Sequence, residues 1–301
     1  MRRSSGDPIV DRRYLYAQGA ADEGDWRAAA ELLEQALEKA PRWAPAWLAL
    51  GEARERLAER DAAGQAYRRA LAFDPEDTLG AAPRLARLGL NTLAALPQSY
   101  VRALFDEYAP RYARHLRRGL GYRGPELILE ALERCAPERC FALAFDLGCG
   151  DGLMGAALRP PRVAEIIGVD LSPAMVAAAR ERGLYDQLEC EEICAFLERR
   201  QAQSAELIVA ADALPYFGDL SRLFSAIGRG LRPGGIFAFT AESRDGEGFS
   251  IGETLRFSHS RAYLSHCAGE AGLDERLIEP AAARREKGLD APGWVGVLER
   301  V

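Results

Sequence analysis

The chain has 301 residues, 48% of them hydrophobic and 28% charged, the balance of a soluble globular protein with room for two domains. Its formal net charge is −6 and no basic block interrupts it, so binding to nucleic acid or to an anionic membrane through bulk charge is not expected. The six cysteines form no C-x-x-C pair, the three histidines are scattered, and no signal peptide or long apolar run is present; a reduced cytoplasmic setting without a zinc site fits this pattern.

Taken in chain order, residues 1–9 are polar and read as a disordered N-terminus. A repeat follows: Ala29, Ala36 and Pro41 recur 34 positions later as Ala63, Ala70 and Pro75, with Trp47, Leu50, Gly51 and Tyr67 between them. Alanines that let antiparallel helices approach, closed by a proline, make an all-α domain over residues 10–90, with Leu79–Leu88 as a capping helix. A linker is expected at 89–98. Helical segments at Ser99–Tyr108, Tyr112–Arg118 and Pro125–Cys135 come next.

From residue 141 the pattern alternates. Strands are expected at 141–146, 163–169, 187–190, 206–211, 235–240 and 294–300, with a weak one at 276–279. Helices are expected at 153–158, 173–182, 194–200, 219–230 and 260–271. Such alternation implies a mostly parallel sheet covered on both faces, an α/β domain over 98–301.

The first strand runs into Asp146-Leu147-Gly148-Cys149-Gly150-Asp151-Gly152, a turn where backbone and ligand can approach closely. No Gly-Lys-Ser/Thr completes a P-loop, and Leu153 stands where a dinucleotide site has its third glycine. Two acids in the turn disfavour a pyrophosphate and suit a phosphate-free ligand with a positively charged amino-acid end. S-adenosylmethionine has that chemistry. Asp170 ends the second strand, placed to accept from ribose hydroxyls, while Glu192 and Ile193 after the third strand are placed for the adenine.

The chain from about 100 onward resembles class I S-adenosylmethionine-dependent methyltransferases. The resemblance rests on Phe105–Tyr112, Asp146–Gly152, Gly168–Met175, Ala211–Leu220, Leu231–Gly235 and Phe257–Tyr263. Residues 10–90 resemble tetratricopeptide repeats: a degenerate unit Val10–Pro41, a clearer one Ala44–Pro75, and the cap. The resemblance implies a Rossmann-like seven-stranded sheet, its last strand antiparallel, preceded by a small tetratricopeptide domain and by lid helices over 99–135. It implies cofactor contacts at Asp146, Gly148, Gly150, Gly152, Asp170, Leu171, Met175, Glu192, Ile193 and Asp212. Lid tyrosines Tyr108 and Tyr112 are expected over the cofactor.

For catalysis the candidates are Asp212 after the fourth strand, Tyr216 in the loop beyond it, and His259, read with Tyr263 as an i, i+4 pair opening a helix and as a general base. No metal is expected. The methyl acceptor is an oxygen or nitrogen, less readily a carbon or sulfur, of a small molecule or protein. The alternative is a weakly catalytic or non-catalytic interaction module acting through its repeats, with a protein partner or a second copy of the chain.

Overall fold

The computed structural model describes residues 4–111, 121–158, 162–286 and 288–301. It divides into two compact units, Met1–Leu93 and Ala94–Val301. Tyr112 and the segment expected at Tyr112–Arg118 lie outside the described residues.

The first unit is five helices: α1 (Pro8–Asp22), α2 (Trp26–Lys39), α3 (Ala44–Arg56), α4 (Arg60–Phe73) and α5 (Ala81–Arg87). Each packs on the next. Ala29, Ala36, Ala63 and Ala70 are all buried, and Tyr67 lies so close over Gly51 that a Cβ there would stand 2.4 Å from its ring. Trp43 packs tilted against Tyr14, ring centroids 4.8 Å apart, inside this unit's own core. Within the stretch expected to be disordered, residues 4–7 form the lead into α1, and Pro8 and Ile9 are its first helical residues. Asp7 caps the helix through Ile9 N–H (2.8 Å), and Ser5 Oγ donates to Asp11 (2.6 Å).

The second unit opens with α6 (Gln98–Tyr108), a 3₁₀ turn at Ala109–Arg111 and α7 (Gly124–Cys135). There follow β1 (Phe141–Leu147), α8 (Leu153–Leu158), β2 (Val163–Asp170), α9 (Pro173–Arg182), β3 (Gln187–Cys190), α10 (Ile193–Arg199) and β4 (Ala205–Ala210). Then come α11 (Ser221–Gly230), β5 (Leu231–Ser243), β6 (Phe249–Ile251), β7 (Phe257–His259), α12 (Arg261–Glu270), β8 (Leu273–Ala281), β9 (Arg285–Glu286), β10 (Leu289–Asp290) and β11 (Gly293–Arg300).

The main sheet runs β3-β2-β1-β4-β5-β11-β8, with β7 added beside the end of β5 and β6 beside β7, nine strands in all. Strands β1 to β5 pair in parallel, and β11, the last in sequence, is antiparallel to both of its neighbours. Alternate residues of a strand face opposite sides. Phe145, Ile167, Ile208, Phe237 and Phe239 accordingly pack in one layer, and Ala144, Ile166, Leu207, Val209 and Ile236 in the other. The strand order reverses between β1 and β4, which leaves a crevice at their carboxyl ends.

Candidate active site

The glycine turn sits at the carboxyl end of β1. Gly148, Gly150 and Gly152 take φ of +72°, +53° and +91°, a region other residues rarely adopt. A Cβ on Gly148 would stand 3.1 Å from that of Ala213. The amides of Gly148 and Cys149 donate to the Val169 carbonyl at 2.9 and 3.0 Å, pinning the turn to β2. Asp170 reaches back, its carboxylate accepting from Gly150 N (2.9 Å) and Ser172 N (2.8 Å). Asp146 is fully buried. Its Oδ2 accepts from the Tyr185 hydroxyl at 2.7 Å, and its Oδ1 has no partner. Burial pushes Asp146 up to about 7 and Asp170 up to about 6, with hydrogen bonds opposing the shift in each case. An unpaired buried carboxylate oxygen beside a second buried acid suits a ligand that brings positive charge.

In front of the turn lies a cavity of about 310 Å³. Gly148, Gly150, Asp170, Leu171, Glu192 and Ile193 line it together with Asp212, Ala213 and Tyr216, and Ala213 stands directly beside Gly148. Glu192 is the N-cap of α10: its two oxygens accept from the amides of Cys194 and Ala195, both at 2.9 Å. An adenine amino group is thus left the remaining lone pairs of that carboxylate. The stretch expected to be linker up to residue 98 is in fact a wall of this cavity, with Leu96, Gln98, Val101 and Phe105. Leu96 N donates to the Tyr216 carbonyl (2.9 Å), and the amides of Gly218 and Asp219 donate to the Ala94 carbonyl (2.8 and 2.7 Å).

Asp212, also in the lining, follows β4 with φ +66°, a conformation aspartate tolerates better than most residues, and its amide donates to Thr240 Oγ1 at 2.9 Å. Its Oδ1 pairs with Arg256, whose Nε pairs with Glu242 and whose Nη1 donates to the Tyr216 hydroxyl at 2.8 Å. Arg284 closes the group, 2.7 Å from Glu242 and 3.7 Å from Asp212 Oδ1. Two guanidiniums and two carboxylates, all largely buried, balance in charge; removing one would strand its partners. Burial pushes the Tyr216 phenol up to about 12, against Arg256, so it stays a proton donor at neutral pH. Phe105 meets the Tyr216 ring edge-on at 5.4 Å.

A family profile described as "Methyltransferase domain" matches residues 145–239. Malonyl-[acyl-carrier protein] O-methyltransferase of Salmonella typhimurium is 30% identical over 62% of this chain and 70% of its own length. The chain belongs to the class I S-adenosylmethionine-dependent methyltransferases. Human methyltransferase-like protein 27 is 39% identical, over 28% of this chain and 34% of its own length, so the chain matches only about a third of that relative. A 1,6-didemethyltoxoflavin-N1-methyltransferase of Burkholderia thailandensis, solved with 1,6-didemethyltoxoflavin and S-adenosylhomocysteine, shares the fold with a TM-score of 0.53. It is 15% identical over 70% of this chain and 93% of that one.

The residues of this methyltransferase fit S-adenosylmethionine. The open glycine turn admits the ligand's backbone side, the unpaired Asp146 Oδ1 suits its ammonium, and Asp170 lines the cavity where ribose hydroxyls would be accepted. Asp146, Gly152 and Met175 lie behind the lining: Asp146 is fully buried under the turn, Gly152 N closes the turn on the Cys149 carbonyl (2.9 Å), and Met175 is buried with its amide on the Ser172 cap (3.1 Å). Tyr108 ends α6 partly buried and outside the cavity lining.

His259 requires a correction. It lies in β7, not at the head of a helix, and Ser260 caps α12 instead. Its ring is fully buried away from the cavity lining, with Nε2 donating to the carbonyls of Phe217 (2.9 Å) and Gly218 (3.2 Å). Burial pushes it down to about 4, so it is a neutral structural histidine with no path to an acceptor proton. Sequence reasoning also missed Arg256, Arg284, Glu242 and Tyr185. No described helix is long and apolar enough to cross a membrane, and no three described metal-ligating side chains converge.

Proposed function

We propose that this protein transfers the methyl group of S-adenosylmethionine to an oxygen or nitrogen of a small molecule held in the cavity before the glycine turn. The observation that carries this reading is that one cavity is lined both by Gly148, Gly150 and Asp170 and by Asp212 and Tyr216. When bound, the cofactor supplies an electrophilic methyl on a good leaving group. Catalysis then rests on alignment, for which effective molarities on the order of 10⁵ M or more are attainable. Asp212 accepts the hydrogen of the attacking hydroxyl or amine, Tyr216 donates to a neighbouring acceptor atom of the substrate, and Phe105, Val101 and Leu96 exclude water. A relative named trans-aconitate 2-methyltransferase supports a small molecule, while the one named for malonyl-[acyl-carrier protein] takes a small acyl group borne on a protein. The test is incubation with methyl-labelled cofactor and a cell extract separated by size. Label in the small-molecule fraction is expected; label confined to protein would replace the small-molecule acceptor by a protein one.

We read the first unit as two tetratricopeptide-like repeats with a capping helix. The burial of Ala29 and Ala36 together with Ala63 and Ala70, at the 34-residue period, supports this. Exposed Ile9, Leu15 and Tyr16 on α1 support a protein partner or a homodimer. Light scattering of the full chain, with and without Tyr16→Glu, separates the two.

A further inference from the structure

Tyr185 lies between α9 and β3, outside the cavity lining and outside every motif that marks the fold. Its ring fills a hole that three glycines leave open. A Cβ added at Gly152, Gly155 or Gly168 would stand 3.1, 2.5 or 2.9 Å from ring atoms of this one tyrosine. Its hydroxyl accepts from Gly155 N (3.2 Å), an amide in the first turn of α8 that has no partner within the helix, and donates to Asp146 Oδ2 (2.7 Å). One side chain thus ties the strand before the glycine turn to the helix after it, and fixes which oxygen of Asp146 is occupied.

We propose that Tyr185 is a positioning residue for the cofactor: by holding Asp146 Oδ2, it leaves Oδ1 as the one free oxygen of that carboxylate to receive the cofactor's ammonium. The proposal rests on the cofactor site and is independent of the acceptor. The groups facing Asp146 are Tyr185, Asp170 at the end of β2, Cys149 in the turn and Tyr122 before α7; Arg182 on α9 is spent on Asp151. Burial keeps the Cys149 thiol and the Tyr122 and Tyr185 phenols protonated, so Asp146 and Asp170 alone among these titrate near neutral pH. Asp146 takes up its proton near about 7 and Asp170 near about 6. Cofactor affinity therefore falls as pH drops through the joint titration of this buried pair. Losing the Tyr185 donor raises the proton affinity of Asp146 and moves that fall to higher pH, by roughly half to one pH unit for one hydrogen bond.

The test is calorimetric titration with S-adenosylhomocysteine from about pH 5.5 to about pH 8.5. Tyr185→Phe keeps the ring in its hole; it is expected to bind within about 1.5-fold of wild type at the upper end and about two- to fivefold more weakly near the middle. Asp146→Asn is expected to flatten the dependence near neutral pH, and Tyr185→Phe to have no further effect on pH dependence in that background. A Tyr185→Phe profile parallel to wild type, equal or uniformly weaker, overturns the proposal, because a merely structural role predicts that. Should Tyr185→Phe fail to fold, a pH profile in Asp146→Asn identical to wild type overturns it equally, because Asp146 then carries none of the dependence. Wild type that fails to bind at any pH removes the cofactor reading, and the proposal with it.

Discussion

In the proposed reaction, Asp212 and Tyr216 divide the work at the acceptor because their surroundings differ in sign. The Asp212 carboxylate can only accept, and the Tyr216 hydroxyl, already receiving a hydrogen from Arg256, has its own left to give. Asp212→Asn, which tolerates the same positive φ, is expected to lower kcat about 100-fold with S-adenosylhomocysteine affinity held within about twofold. Steady-state kinetics beside a binding titration checks the split, and a loss confined to KM would move Asp212 out of the chemistry. His259 belongs to stability. Its folded pKa of about 4 lies below the unfolded value of 6.5, so its contribution is present above about pH 6.5 and is lost as pH falls toward 4. Asp146 and Asp170, raised by burial, act in the opposite sense over the same range, so the informative quantity is a difference between variants. His259→Gln is expected to leave turnover within about twofold and to reduce the stability lost between about pH 7 and about pH 5 by on the order of 2 kcal/mol. Denaturant titrations at both pH values check this.

At the scale of elements, the site is a joint between β1, α8 and β2, and Tyr185 is its wedge. Gly155→Ala puts a better helix former into α8 yet drives a Cβ to 2.5 Å from the Tyr185 ring. Packing is expected to win over propensity, with cofactor affinity at least tenfold weaker and helix content unchanged; a titration beside circular dichroism reads both. What the sequence disclosed follows the same division. Phe141–Leu147, Val163–Asp170 and Ala205–Ala210 are short apolar runs punctuated by turn residues, and they are strands. Asp146 to Gly152 is a local motif whose backbone demands are legible in its glycines. The Arg256 group was not legible, because Asp212, Glu242, Arg256 and Arg284 meet only once β4, β5 and the segments beside them are laid together. His259 was misread for the same reason: its pairing with Phe249 and Ser243 in the sheet, invisible to local periodicity, turns its ring inward. Leu96 read as linker because a β-bridge of one residue pair, Ala95 to Phe217, leaves no pattern.

For the whole molecule, every described residue lining the cavity lies between Ala94 and Leu223, within the second unit. A chain of residues 94–301 is therefore expected to bind S-adenosylhomocysteine within about threefold of the full protein, measured by the same titration; a larger loss would assign cofactor affinity to the helical unit. The central claim is that this methyltransferase binds S-adenosylmethionine at the turn carrying Asp146. Its most direct test is calorimetric titration of the full chain with S-adenosylhomocysteine. One site per chain is predicted, with thermal stabilisation equivalent to about 2.7 kcal/mol at a ligand concentration near 100 Kd and affinity at least tenfold lower in Asp146→Asn at a pH above about 7.5. No heat and no thermal shift, or full affinity in Asp146→Asn, would contradict it.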